Sequence, residues 1–91
     1  MIKEAHYEKL EILFAALHPH LAPILSGPEM AEVMEYLYHG EYGIALETLC
    51  FIIEDGKKPI TQEIHELIDQ LGTLMEMEKD LWKPLKALIR K

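Results

Sequence analysis

Residues 39–55 read HGEYGIALETLCFIIED, and this stretch decides the fold. On a helical wheel of about 100° per residue, its apolar side chains cover most of the circumference. Only Gly43, Glu47 and Glu54 form a narrow polar stripe. The broad apolar face holds Tyr42, Ala45, Leu46, Leu49, Ile52 and Ile53. A helix with so little polar surface needs neighbours on several sides, so the pattern predicts a central buried helix.

Glycine residues mark both ends of this central helix. Gly40 can adopt the left-handed backbone conformation that closes a preceding helix, and Gly56, followed by Pro59, ends the central helix itself. Ile44 and Phe51 lie on a separate seam of the wheel. We expect either another helix or a partner protein to cover them.

Two helices are predicted before the central one. The first spans about residues 3–17 and ends at His18-Pro19, because its apolar side chains recur every three or four residues. They are Ile2, His6, Leu10, Leu13, Phe14 and Leu17. Residues 18–28, HPHLAPILSGP, contain three prolines and predict an ordered connector that is not a regular helix.

The second helix is predicted to begin at Ser26, with Pro28 in its first turn. Its core face would consist of Met30, Val33, Met34 and Leu37. Its outward face would carry Glu29, Glu32, Glu35 and Tyr36.

A fourth helix is predicted to begin at Thr61, which is a good N-cap residue. The clearest helical repeat in the chain follows it and consists of Ile64, Leu67, Ile68, Leu71, Leu74 and Met75. Residues 80–91 predict a short fifth helix, entered through a 3₁₀ turn at residues 78–82 and interrupted by Pro84. The fold class is therefore all-α: a compact bundle of about five helices around a central buried helix. We expect a single domain, residues 1–91, in which consecutive helices are antiparallel neighbours.

The charge is distributed unevenly along the chain. Residues 1–56 contain two basic and ten acidic side chains, residues 57–91 contain seven basic and six acidic ones, and the formal net charge is −7. Residues 10–56 contain neither Lys nor Arg. Such a surface repels nucleic acids and anionic membranes and attracts basic proteins.

Catalytic and metal-binding motifs are not found in the sequence. His18 and His20 form the only local histidine pair, and a metal site there would lack further ligands. Cys50, the single cysteine, falls beside the buried face of the central helix and is expected to be an inert core residue. We therefore expect no enzymatic activity, no cofactor and no metal.

Because no apolar stretch approaches about 18 residues and the charged start MIKEAHYEKL does not resemble a signal peptide, we expect a cytoplasmic protein.

A surface for another protein remains as the predicted functional feature. Carboxylates around an aromatic ring are a plausible binding arrangement, although three glutamates on a helix can equally be an ordinary solvated face. The predicted partner-binding residues are Glu29, Glu32, Glu35, Tyr36, Glu41, Glu47 and Glu54.

Residues 36–75 resemble the MafI-like family of small bacterial immunity proteins. The motif His39-Gly40-Glu41 leads into an "ALE-L" helix, followed by an acidic turn, a loop with a proline, and a helix that starts at Thr. The matching residues after the first motif are Ala45, Leu46, Glu47, Leu49, Pro59, Ile60 and Thr61.

This resemblance implies an antitoxin of interbacterial competition. Such a protein binds the C-terminal domain of a cognate MafB or contact-dependent growth inhibition toxin. Several of these toxins are ribonucleases, including ones with an EndoU-like fold, and their substrate clefts are expected to be basic. We expect a monomer that forms a one-to-one complex and occludes the active site of the toxin, with inhibition away from the active site as the alternative mode of binding. The alternative is a helical adaptor or regulatory module, homodimeric through Ile44 and Phe51.

Overall fold

The computed structural model describes residues 4–90, with side chains from residue 6 onward. Within this range it contains four α-helices followed by two 3₁₀ segments. The helices are α1 (Glu4–Leu21), α2 (Gly27–Tyr38), α3 (Tyr42–Asp55) and α4 (Gln62–Leu74), and the 3₁₀ segments are Lys79–Leu81 and Lys83–Leu88. The predicted all-α bundle is confirmed, while Ile2, Lys3 and Lys91 of the predicted terminal helices lie outside the described residues.

The helix starts follow from local side-chain chemistry. The Ser26 hydroxyl accepts a hydrogen bond from the Glu29 backbone N–H, and the Glu29 carboxylate accepts one from the Ser26 backbone N–H, so α2 begins with a complete capping box. At α4, the Thr61 hydroxyl accepts a hydrogen bond from the Ile64 backbone N–H. Gly40 has φ +71°, which is the left-handed conformation predicted between α2 and α3.

The central helix is α3. Its buried residues are Tyr42, Ala45, Leu46, Leu49, Cys50, Ile52 and Ile53, as the wheel predicted. Helix α2 packs on it from one direction and the second 3₁₀ segment from another. The seam residues are not fully covered, because Ile44 is 42% exposed and Phe51 is 67% exposed.

Helix α1 differs from the prediction in its length and in its neighbour. It continues through Pro19 to Leu21, so the irregular connector shortens to residues 22–26. Leu17, Leu21 and Leu25 are buried, and the free energy gained by their burial exceeds the cost of the backbone hydrogen bond that Pro19 cannot donate. The main contacts of α1 are with α4 rather than with the next helix in sequence, so the prediction of consecutive neighbours was wrong for α1.

The C-terminal segment is 3₁₀ where an α-helix was predicted. Pro84 lies in its first turn, where a proline is tolerated, and the six-residue segment is held by i→i+3 hydrogen bonds such as that from the Leu85 N–H to the Trp82 carbonyl. Leu85 and Trp82 nevertheless bury their side chains in the common core. The chain then closes onto the loop before α4, where the Arg90 N–H donates to the Ile60 carbonyl at 2.7 Å.

The indole ring of Trp82 lies directly against the backbone of α4 at Gly72. A Cβ atom at Gly72 would overlap three carbons of that ring, which is itself only 2% exposed. The ring is also held at its nitrogen, because Nε1 donates a hydrogen bond of 2.8 Å to the Asp69 carboxylate. Gly72 therefore lets Trp82, which lies between the two 3₁₀ segments, pack closely on α4.

Candidate protein-binding surface

Five of the seven predicted partner-binding residues are exposed carboxylates. Glu32 and Glu35 lie on α2, Glu41 is the N-cap residue of α3, and Glu47 and Glu54 lie along α3. We call these five residues the acidic face. Because α2 packs on α3, one folded unit carries all five carboxylates on two adjoining helices.

Glu29 has a structural use that the sequence prediction did not include. Besides completing the capping box, its Oε1 lies 3.1 Å from the Lys58 Nζ in the loop after α3. The hydrogen bond from the Ser26 backbone, followed by that from Lys58, lowers the pKa of Glu29 below its ordinary value. A carboxylate with these partners is less accessible to an incoming cation than those of the acidic face.

Tyr36 was predicted on the outward face of α2, and this placement was wrong. Its side chain is half-buried and packs against the core. The exposed aromatic ring of this helix is instead Tyr38, whose side chain is 89% exposed and whose ring lies 5.8 Å from that of His39. The sequence contained a signal for Tyr38, because it follows Glu35 by three residues and therefore shares its side of the helix.

An apolar groove lies between α1 and α2. Its volume is about 400 Å³, and we call it the α1–α2 groove. Met34 was predicted in the core, yet it is 41% exposed because it lies at this groove. The groove is lined by Glu11, Phe14, Ala15, His18, Pro19, Met34, Leu37 and Tyr42.

A second, more open concavity adjoins the groove on the outer side of α2. Met34 and Leu37 line both, and the second is completed by Ala31, Glu35 and Tyr38. We call the two concavities together the apolar tract. Its carboxylates are Glu11, which lines the groove, and Glu35, which lines the second concavity.

Tyr42 fixes the position of the Glu11 carboxylate. The Tyr42 hydroxyl donates a hydrogen bond of 3.0 Å to the Glu11 Oε2. Its ring lies 6.1 Å from that of Phe14 and 5.7 Å from that of Tyr7, so three aromatic side chains surround the start of α3. Burial and, after it, the hydrogen bond and charge of Glu11 raise the pKa of Tyr42.

Three of the seven basic side chains in the described part of the chain lie in the 3₁₀ segments. Lys79, Lys83 and Lys86 line a small pocket beside α4 together with His65. No Lys or Arg is present in residues 10–56, which form most of α1 and all of α2 and α3. The carboxylates of the acidic face therefore belong to a part of the chain that attracts a basic partner.

The Cys50 side chain is not placed for nucleophilic chemistry. It is only 1% exposed in the core, and burial, followed by the charges of Glu54 and Glu47, raises the pKa of its thiol to about 12. Within residues 4–90, no three His, Cys, Asp or Glu side chains come close enough together to hold a metal ion. No helix in the described part of the chain is long and apolar enough to cross a membrane.

No family model, curated protein or solved structure matches this chain.

Proposed function

We propose that this protein is an immunity protein, which binds the basic toxic domain of a cognate interbacterial toxin and neutralises it. The observation that carries the proposal is that residues 10–56, which contain no Lys or Arg, hold both the acidic face and the apolar tract. A nuclease is a suitable target, because its substrate cleft must be basic to hold phosphates.

The acidic face would supply long-range attraction. Carboxylates that complement a basic cleft accelerate association, by roughly 10 to 1,000-fold at low salt, and disfavour acidic or neutral partners. Glu32 and Glu35 are exposed on α2, where the Glu35 Oε2 lies 3.7 Å from the His39 Nε2. In the complex they would stand in place of RNA phosphates.

The apolar tract would supply short-range affinity. Exposed aromatic rings next to a concave apolar surface are typical anchors of protein interfaces. Tyr38 and Met34 provide such a ring and surface on the same helix as Glu32 and Glu35. An interface of standard size, about 1,600 Å² in total, is large enough to cover α2 and its surroundings.

The resemblance of residues 36–75 to the MafI-like immunity family supports the same role. Most of its matching positions, such as Gly40, Leu46 and Leu49, are turn or buried residues in the structure, so they support the scaffold rather than the docking site. Since no family model matches the chain, charge and surface shape carry more of the proposal than the resemblance does.

A charge-matched pair of double variants tests the proposal. Glu32→Gln with Glu35→Gln should weaken binding to the purified toxin domain by about tenfold or more at physiological salt, because two interfacial charges are lost. Glu66→Gln with Glu78→Gln changes the net charge equally at exposed sites outside the acidic face, and should alter the affinity by less than about twofold. Equal effects of the two pairs would contradict docking through the acidic face.

The second candidate function is a helical adaptor or regulatory module that dimerises through α3. It is favoured by the exposure of Ile44 and Phe51, which lie seven residues apart on that helix. Sedimentation equilibrium at high protein concentration separates the two functions. A dimer that Phe51→Ser converts to a monomer would support the adaptor, whereas a monomer at all concentrations would support the one-to-one immunity complex.

A further inference from the structure

The geometry points to the α1–α2 groove as the receptor for one arginine side chain of the partner, with Glu11 as its counter-ion. This inference rests on the proposed function for the identity of the partner, but the groove itself is tested separately below. It adds a docking residue on α1, outside the acidic face.

The groove combines apolar walls with one positioned carboxylate. Phe14, Met34 and Leu37 line it, and the hydrogen bond from Tyr42 holds the Glu11 carboxylate at its edge. A purely apolar side chain would leave Glu11 without a cation, and a small cation would leave the walls in contact with water. An arginine satisfies both, because its aliphatic stem packs on apolar surface while its guanidinium pairs with a carboxylate.

The aromatic rings give the groove fixed walls. Phe14 and Tyr42 both line the groove, and their rings lie 6.1 Å apart and stacked with 26° between their planes. Both rings are almost completely buried, so their positions are set before the partner arrives.

The groove is large enough to admit an arginine side chain. Its volume of about 400 Å³ lies at the lower end of the roughly 300–1,000 Å³ typical of ligand sites. Among the described residues, no Lys or Arg lines the groove. Lys9 of α1 lines a different pocket, and the basic residue among the lining side chains is His18.

Nuclear magnetic resonance titration of the whole protein with N-acetyl-arginine amide tests the inference without any toxin. We expect millimolar binding, with the largest shift changes at the amides of Phe14, Ala15, Met34 and Leu37. N-acetyl-citrulline amide has nearly the same shape without the charge, and should bind about tenfold more weakly or not at all.

Two matched variants identify the counter-ion. Glu11→Gln keeps an acceptor for the Tyr42 hydroxyl but removes the charge, and should weaken arginine binding at least about fivefold. Glu8→Gln removes an exposed charge one turn earlier on α1, outside the groove, and should leave binding within about twofold. Absence of binding, equal binding of the citrulline probe, or equal effects of the two variants would overturn the assignment.

A groove-filling pair gives an independent check. Ala15 is an exposed residue that lines the groove, so Ala15→Phe should fill it and abolish arginine binding. Ala16 is also exposed and does not line the groove, so Ala16→Phe should bind arginine normally. Unchanged binding to a folded Ala15→Phe variant would also overturn the assignment.

The two proposals can fail separately. Toxin neutralisation without arginine binding would refute the groove and keep the immunity function. Arginine binding at Glu11 without neutralisation would keep the groove and refute the immunity function.

Discussion

Gly72 lies within α4 under the indole ring of Trp82, and replacing it by alanine should destabilise the protein. In an open helix this substitution stabilises by about 1 kcal/mol, because alanine loses less conformational entropy on folding. At Gly72 the added methyl group overlaps the buried ring, and overpacking of this kind costs about 1–3 kcal/mol.

The ring cannot move aside without a further loss. Its Nε1 donates to the Asp69 carboxylate, and a hydrogen bond to a charged group contributes about 1.5–3 kcal/mol. With the helix-propensity gain subtracted, we expect Gly72→Ala to lower the free energy of unfolding by about 2 kcal/mol. For a chain of this length the melting temperature would fall by roughly 10 °C.

Gly43→Ala in α3 is the matched control. A Cβ at Gly43 meets no atom within 4 Å, so this substitution should raise the free energy of unfolding by about 0.5–1 kcal/mol. Urea unfolding followed by circular dichroism, and by the fluorescence of the single tryptophan Trp82, measures both variants. If Gly72→Ala proved as stable as Gly43→Ala, the close packing of Trp82 on α4 would be refuted.

Three further predictions concern the cap of α2 and the buried side chains of α3. Ser26→Ala should lower the free energy of unfolding by about 1 kcal/mol, whereas Ser26→Asp should retain most of it; equal losses in urea titrations would argue against the cap. Because the pKa of Tyr42 is raised in the folded protein, the contribution of Tyr42 to stability is present below the unfolded pKa of about 10 and is lost as the pH rises through the folded pKa. Tyr42→Phe should therefore lose less stability at alkaline pH than the unmodified protein does, and identical pH profiles of the two proteins would contradict this prediction. The buried Cys50 thiol, with a pKa of about 12, should react with a thiol reagent many times more slowly in the folded protein than in urea, and rapid labelling of the folded chain would show that α3 is not buried there.

The sequence predicted the parts of the fold that local chemistry determines. Ser26 and Thr61 are caps because their side chains reach backbone groups three residues away, and Gly40 takes its conformation regardless of distant contacts. The helical wheel of α3 also predicted the buried residues of this helix, because apolar side chains on most of its circumference indicate burial on most sides.

The sequence did not predict features that depend on how the elements meet. Pro19 remains inside α1 because burial of Leu21 compensates for it, and that burial is a tertiary contact. Met34 follows the core repeat of α2, yet the distance between α1 and α2 leaves it at the edge of a groove. The contact of Gly72 with Trp82 could not be foreseen, because the two residues lie on different elements.

The sequence likewise predicted only part of the candidate site. The carboxylates Glu32, Glu35, Glu41, Glu47 and Glu54 are exposed in the structure, as expected of charged residues on helix surfaces. Tyr36 and Glu29 were assigned to the same surface, but packing against the core and pairing with Lys58 give them structural contacts. The groove at Glu11 needed the relative positions of α1, α2 and the start of α3, which no single helical pattern contains.

Co-expression with the C-terminal domain of the protein encoded by the neighbouring gene tests the central claim most directly. We predict restored growth of a susceptible bacterium and a one-to-one complex that survives purification at low salt and weakens as the salt concentration rises. No rescue and no complex at low salt would contradict the immunity function.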